Sequence, residues 1–293
     1  MIEKSLTLDA PAKINLSLAI TGKRTDGYHN LQTIFQSVSL ADRVQVTLTK
    51  TKDISCLCGN LSGEQNLAYQ AARLFWDSYQ TSVPGVSLSG IEIKIEKNIP
   101  LQAGLAGGSS DAAAVLRALN LLSGNPFSMT ELLWLACRCG SDTAFCLRGG
   151  TQWGEGTGTD LSPLPPAPKM DMVLAKPEGG ISTAEAYRLF DESCRYASLE
   201  RELWVKLLKE GATDKIGQHL FNSLEKVAFQ LLPEIKVIKD IMLQEGCLGA
   251  LMSGSGSAVF GIAKNKEHGQ KVVQALQEKG VRHTWLVKTL NTA

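Results

Sequence analysis

Between positions 98 and 111 the chain reads Asn98-Ile-Pro-Leu-Gln-Ala-Gly-Leu-Ala-Gly-Gly-Ser-Ser-Asp111. Ahead of this run, Ile91, Ile93 and Ile95 alternate with Glu92, Lys94 and Glu96, the two-residue period of a strand. Behind it, Ala112, Val115, Leu116 and Leu119 fall at the spacing of one helix face, which predicts a helix over 112–122. A strand that passes through glycines into a helix has few ways to fold. Gly104, Gly107 and Gly108 admit positive φ and let the backbone come close to a ligand. Ser109 and Ser110 are expected to cap the helix and to leave hydroxyls for phosphate oxygens. The orphan N–H groups of the helix start and the positive end of its dipole complete an anion site suited to a polyphosphate. The plainer alternative is a glycine-rich connection with an ordinary serine cap. No Lys follows the glycines, so the usual phosphate-binding P-loop is absent, and the dinucleotide fingerprint G-x-G-x-x-G occurs nowhere.

The chain has 293 residues, enough for about two domains at about 150 residues each. With 44% hydrophobic and 20% charged residues it can build a core, which excludes wholesale disorder. Lys+Arg number 30 against 29 Asp+Glu, so there is no basic excess of the kind that binds nucleic acid without specificity. No apolar run reaches the ~18 residues of a membrane span. The first twenty residues alternate polar and apolar, unlike a secretory or organelle-targeting leader, and the chain is expected to be cytoplasmic and complete. The seven cysteines, Cys56, Cys58, Cys137, Cys139, Cys146, Cys194 and Cys247, are odd in number and contain no C-x-x-C pair. They read as reduced thiols rather than as a disulfide framework or a zinc site.

Strand periodicity recurs at Ile14, Leu16, Leu18 and Ile20, and at Val44, Val46 and Leu48. The stretch 66–76 reads as an amphipathic helix, and Met129–Cys139 as another, capped by Ser128 or Thr130. Pro163, Pro165, Pro166 and Pro168 exclude a central strand or helix. A boundary is placed there, dividing the chain into 1–162 and 163–293. Beyond it come a strand at 171–175, a helix from 183, helices around 220–231 and 233–245, strands near 248–252 and 258–263, a helix at 265–279 and a strand at 283–290. The second helix of the pair opens on Pro233. This order predicts an α+β, ferredoxin-like split βαβ sheet with extra helices.

Three separated motifs resemble those of the GHMP superfamily of small-molecule kinases, in the same order. They are Pro11-Ala-Lys13-Ile-Asn15-Leu16, the stretch Pro100 to Ala114 that holds the glycines, and Leu251-Met-Ser-Gly254-Ser-Gly256-Ser-Ala258. The likeness covers nearly the whole chain. It implies a two-domain fold, with an N-terminal ATP-binding domain like that of ribosomal protein S5 and a ferredoxin-like C-terminal domain. Gly22-Lys-Arg-Thr-Asp-Gly27-Tyr28-His29-Asn-Leu31-Gln32 resembles the substrate loop of one subgroup. Members of that subgroup use ATP to phosphorylate a hydroxyl of the cytidine-diphosphate derivative of methylerythritol, in the non-mevalonate isoprenoid pathway. Gly140-Ser-Asp142-Thr-Ala-Phe145 with Gly149-Gly150-Thr151 matches a further motif. The family often has Ala-Asp-Val-Pro-Phe where Ser141 to Phe145 stands here, and an Arg between glycines where Thr157 stands. The alternatives are another GHMP kinase, acting on homoserine, mevalonate or a sugar, and an inactive nucleotide-binding relative.

The resemblance implies that Asp142 takes the proton from the acceptor hydroxyl, with Lys13 beside it. Lys13 and Asn15 lie two apart on a strand and so share a face. By themselves Asp142 reads as a turn or helix-end carboxylate and Lys13 as a solvated strand-end charge. Tyr28 and His29 follow a Thr-Asp-Gly turn and are expected on an exposed loop. The resemblance assigns them to the cytosine, with Tyr187 as the second aromatic and Thr183 nearby; core packing is the other reading of Tyr187. It assigns Asn66, Leu67 and Lys97 to the neighbourhood of the adenine, although Asn66 reads equally as a helix cap. Pro100, Gly104, Leu105, Ala106, Gly107, Gly108, Ser109 and Ser110 would bind the ATP phosphates, and Gly254, Ser255 and Gly256 would close over the substrate. ATP implies Mg²⁺. No acidic cluster marks a protein ligand for it, so no metal-binding residue is named.

Overall fold

The computed structural model describes residues 4–83, 90–193 and 195–292, so Cys194 lies outside the described residues. The alternating N-terminal pattern becomes β1 (Lys4–Lys23), which runs antiparallel to β2 (His29–Thr49). β3 (Ile54–Leu57) follows, then α1 (Leu67–Ser82), β4 (Gly90–Glu96) and α2 (Gly107–Leu122). Next come α3 (Met129–Cys139), α4 (Thr143–Arg148), β5 (Thr151–Gly156) and β6 (Asp160–Pro163). β1 covers one edge of β2. The other edge is shared: Leu31–Gln36 pair with β5 and Arg43–Thr49 with β4. Val44, Val46, Ile91 and Ile93 from the sheet pack on Val115, Leu116 and Leu119 of α2 and Phe75 of α1. That burial fixes the direction from which α2 arrives behind the glycine loop. Ser128 closes a capping box with Glu131 at the head of α3.

Residues 164–170, where the prolines cluster, form no helix or strand and lead into β7 (Asp171–Lys176). Then come α5 (Thr183–Ser193), α6 (Arg201–Glu210), α7 (Thr213–Gln218), β8 (Phe221–Asn222), α8 (Glu225–Leu231) and α9 (Glu234–Gln244). The described chain closes with β9 (Gly249–Met252), β10 (Val259–Ile262), α10 (Lys266–Glu278) and β11 (His283–Leu290). The strand order β11-β7-β10-β9 is antiparallel throughout, the arrangement expected of a ferredoxin-like sheet. β11 pairs with β7 over His283–Lys288. It then reaches β2 through Thr289 and Leu290, joining both halves into one sheet. Leu105 and Ile14 from the first half share a core with Leu251 and Phe260 from the second.

Four expectations are corrected. The helix expected around 220–231 begins only at Glu225, because Phe221 and Asn222 pair in parallel with Ser17 and Leu18 of β1. α2 begins at Gly107, not near Ala112, because Ala106 takes a left-handed turn at φ 57° and no side chain caps it. Ser109 and Ser110 are therefore inside the first turn and are not caps. His29 is not on an exposed loop: it opens β2 and is buried. The sequence reading also passed over β3, α4, α6, α7, β5 and β6. α4 and α7 are six residues each, too short for a periodic signal. The residues that begin β5, Thr151 to Gly154, are all buried, which removes the alternation.

Candidate active site

The three motifs meet through the backbone. Lys13 N–H donates to the Leu105 carbonyl at 3.1 Å, tying β1 to the glycine loop. Ser253 Oγ accepts from Asn15 N–H at 3.3 Å and donates to the Gly104 carbonyl at 3.0 Å. Ala258 N–H donates to the Ala103 carbonyl at 3.1 Å. Glycine is required at 104: φ is 71°, and a Cβ there would stand 2.2 Å from the Ser253 carbonyl oxygen. Asn222 Nδ2 donates to the carbonyls of Met252 and Gly254, holding the third motif from behind.

Lys13 is buried on β1. Its Nζ donates to Asn15 Oδ1 at 2.8 Å and lies 3.6 Å from Asp142 Oδ2. Asn15 Nδ2 in turn donates to Thr33 Oγ1 at 2.7 Å, which donates to the Ser17 carbonyl at 2.7 Å. This relay fixes which way Asn15 points, and with it the ammonium. Asp142 precedes α4 but makes no capping bond, so the helix start leaves its carboxylate available to Lys13.

A cavity of about 1160 Å³ opens above this pair. Lys13, Asn15, Tyr28, His29, Gly104, Ala106, Asp142, Thr183, Tyr187, Gly254, Ser255 and Gly256 all line it. Thr183 Oγ1 and Ser255 Oγ are 2.8 Å apart across it. The His29 ring stacks on Tyr187 with centroids 4.9 Å apart, and burial pushes the Tyr187 phenol up. Tyr28 is 68% exposed, a free aromatic face at the rim. The Asp26 carboxylate accepts from Tyr28 N–H at 3.1 Å and is held below its ordinary pKa mainly by that bond.

A second hollow, of about 230 Å³, shares Gln102, Gly104 and Ala106 with the first. Leu67, Pro100, Leu105, Gly107, Gly108 and Ser109 also line it, so the open N–H groups at the start of α2 face a space that borders the larger cavity. Three residues assigned to ATP line neither space. Asn66 caps α1 by accepting from Ala68 N–H at 2.9 Å. Ser110 Oγ donates to the Pro11 carbonyl at 2.7 Å. Lys97 Nζ is held between Asp42 and Asp111, the latter at 2.7 Å. Asp42 also accepts from the N–H groups of Asn98 and Ile99, at 2.6 and 2.8 Å, and so anchors the chain just before the glycines. Two buried carboxylates thus share one ammonium, and burial pushes Asp111 up to about 7.

The chain matches the models of the GHMP kinases N terminal domain over residues 66–150 and GHMP kinases C terminal over residues 204–282. It is 48% identical to the 4-diphosphocytidyl-2-C-methyl-D-erythritol kinase of Desulfitobacterium hafniense (strain Y51), over 99% of this chain and 98% of that one. The chain belongs to the 4-diphosphocytidyl-2-C-methyl-D-erythritol kinase family. The family enzyme of Bacillus subtilis (strain 168) is 39% identical, over 92% of this chain and 91% of its own. A crystal structure of 4-(cytidine 5'-diphospho)-2C-methyl-D-erythritol kinase superposes with a TM-score of 0.83 at 36% identity, covering 97% of this chain and 99% of that chain. A homoserine kinase from Cytophaga hutchinsonii shares the fold, with a TM-score of 0.76 at 23% identity, over 100% of this chain and 96% of that one.

Within this kinase family frame, the sequence reading missed Gln102, Asp191, Ser253 and Asn222. Gln102 lines both spaces. Asp191 stands four residues after Tyr187, so one turn of α5 carries both into the cavity. That spacing was a usable signal. Ser253 lies within the third motif, beside Gly254. Nothing local marks Asn222.

Proposed function

We propose that the chain transfers the terminal phosphoryl group of ATP to a hydroxyl of 4-diphosphocytidyl-2-C-methyl-D-erythritol, within the non-mevalonate isoprenoid precursor pathway and in the cytoplasm. One observation carries this reading. The cavity runs from the Lys13–Asp142 pair to Tyr28, His29 and Tyr187, and shares a wall with the glycine hollow. A donor phosphate, an acceptor hydroxyl and a nucleobase would thus each have a place in two adjoining spaces.

The N–H groups at the start of α2 would hold the ATP phosphates. Asp142 would accept the acceptor's proton as its oxygen attacks. Lys13 would keep that carboxylate ionised and offset charge growing on the transferred group. Tyr28 and Tyr187 offer aromatic faces to the cytosine and His29 a hydrogen-bonding edge. Among the described residues no group of three or more His, Cys, Asp or Glu is poised for a metal. Mg²⁺ bound with the nucleotide phosphates would supply charge neutralisation. Among the described residues no helix is long and apolar enough to cross a membrane.

The test offers the purified chain ATP-Mg²⁺ and a panel of acceptor alcohols. The cytidine diphosphate compound is expected to give the highest kcat/KM. A preference for homoserine, mevalonate or a sugar would overturn the assignment.

A further inference from the structure

His29 makes two kinds of contact. Its face lies on Tyr187, and the Phe190 ring stands nearly perpendicular to it, with centroids 6.4 Å apart at 86°. Its Nε2 lies 2.7 Å from Asp191 Oδ1. The other carboxylate oxygen of Asp191 accepts from Lys23 Nζ at 2.5 Å. A carboxylate only accepts, so Nε2 must carry the ring proton. In the neutral imidazole Nδ1 is then a bare acceptor. Nδ1 has no hydrogen-bond partner among the described residues, and His29 and Asp191 both line the large cavity.

We propose that Asp191 is a positioning residue that fixes His29 in its Nε2–H form, and that this form is what separates cytosine from uracil in the acceptor site. The inference rests on the cytidine reading above and adds the source of its selectivity. A bare Nδ1 needs a donor. Cytosine offers its 4-amino group, whereas uracil has a carbonyl there and sets acceptor against acceptor. A buried acceptor left without a donor weakens binding by about tenfold or more. Lys23 strengthens the device: its hydrogen bond is the main reason Asp191 stays below the ordinary carboxylate pKa, with the bond to His29 adding to it.

The experiment measures binding of cytidine 5′-diphosphate and uridine 5′-diphosphate to the full chain at pH 8, by calorimetry, for the wild type, Asp191→Asn and Asp191→Glu. An amide at 191 can donate to Nε2, which moves the ring proton to Nδ1 and turns the acceptor into a donor. The wild type is expected to prefer the cytidine nucleotide by about tenfold or more. Asp191→Asn should reduce that preference to about threefold or less, and Asp191→Glu should restore part of it. The KM for ATP monitors the integrity of the fold. An undiminished preference in Asp191→Asn would overturn the tautomer lock alone. Wild-type indifference to the base would overturn the cytidine reading and the lock with it. If the variants do not fold, ¹⁵N NMR of the His29 ring in the wild type decides: the Nε2–H tautomer supports the proposal and the Nδ1–H tautomer defeats it.

Discussion

Lys13 and Asp142 meet at 3.6 Å, but they are unequally open: the lysine side chain is 6% exposed and the carboxylate 29%. On the proposed reading, an acceptor hydroxyl entering the cavity would reach the carboxylate first, with the ammonium fixed behind it by Asn15. The asymmetry separates the two roles. The acid can take a proton, and the base of the cleft supplies a charge that does not move.

Asp142→Asn keeps the shape and removes the proton acceptor. It should lower kcat by about 10²- to 10⁴-fold and leave the KM for ATP nearly unchanged. Steady-state kinetics with the cytidine diphosphate acceptor checks this; turnover within a factor of about three of wild type would exclude Asp142 as the base.

Gly104→Ala tests the joint between the glycine loop and the third motif. The new methyl meets a backbone carbonyl in a left-handed conformation, and neither can yield without moving the loop. A stability loss of about 2 kcal/mol or more is expected, together with a raised KM for ATP. Urea unfolding and kinetics on one preparation report both.

Asp111 gives the fold a pH dependence whose sign can be worked out. Burial holds its folded pKa up at about 7, above the ordinary 3.8 of an aspartate. Between those values the native state holds a proton that the unfolded chain has released, so this group's contribution to stability falls as pH rises from about 4 to about 7. Asp111→Asn removes that slope and leaves Lys97 paired with Asp42 alone. Unfolding free energies at pH 5, 6, 7 and 8 should show the variant gaining on the wild type as pH increases. A constant difference across the series would mean that Asp111 does not titrate in this range.

What the sequence disclosed follows from where its signals are local. The strands at 14–20, 44–48 and 91–95 and the helix face from Ala112 to Leu119 are periodic, and each is found where its period places it. The glycine loop was legible because strand, glycines and helix are contiguous. The left-handed turn at Ala106 was not: alanine gives no sign that it will take positive φ, and only the packing of α2 on the sheet requires it. The burial of His29 was equally hidden, because its partners Tyr187 and Asp191 come from a distant helix. The resemblance assigned Lys97 to the neighbourhood of the adenine. Its ties to Asp42 and Asp111 arise from a strand and a helix that no local pattern brings together.

The strand β11 comes later in sequence than nearly everything it touches, yet it borders both β2 and β7. A ribosome delivers the chain from its N-terminus. Both halves of the sheet therefore leave the exit tunnel before the strand that pairs with each of them. Until His283–Leu290 emerges, β7 presents an uncovered edge and β2 lacks its partner at Ser37 and Val38, and the two halves meet through the β1–β8 pair and the glycine loop without the seam that β11 adds.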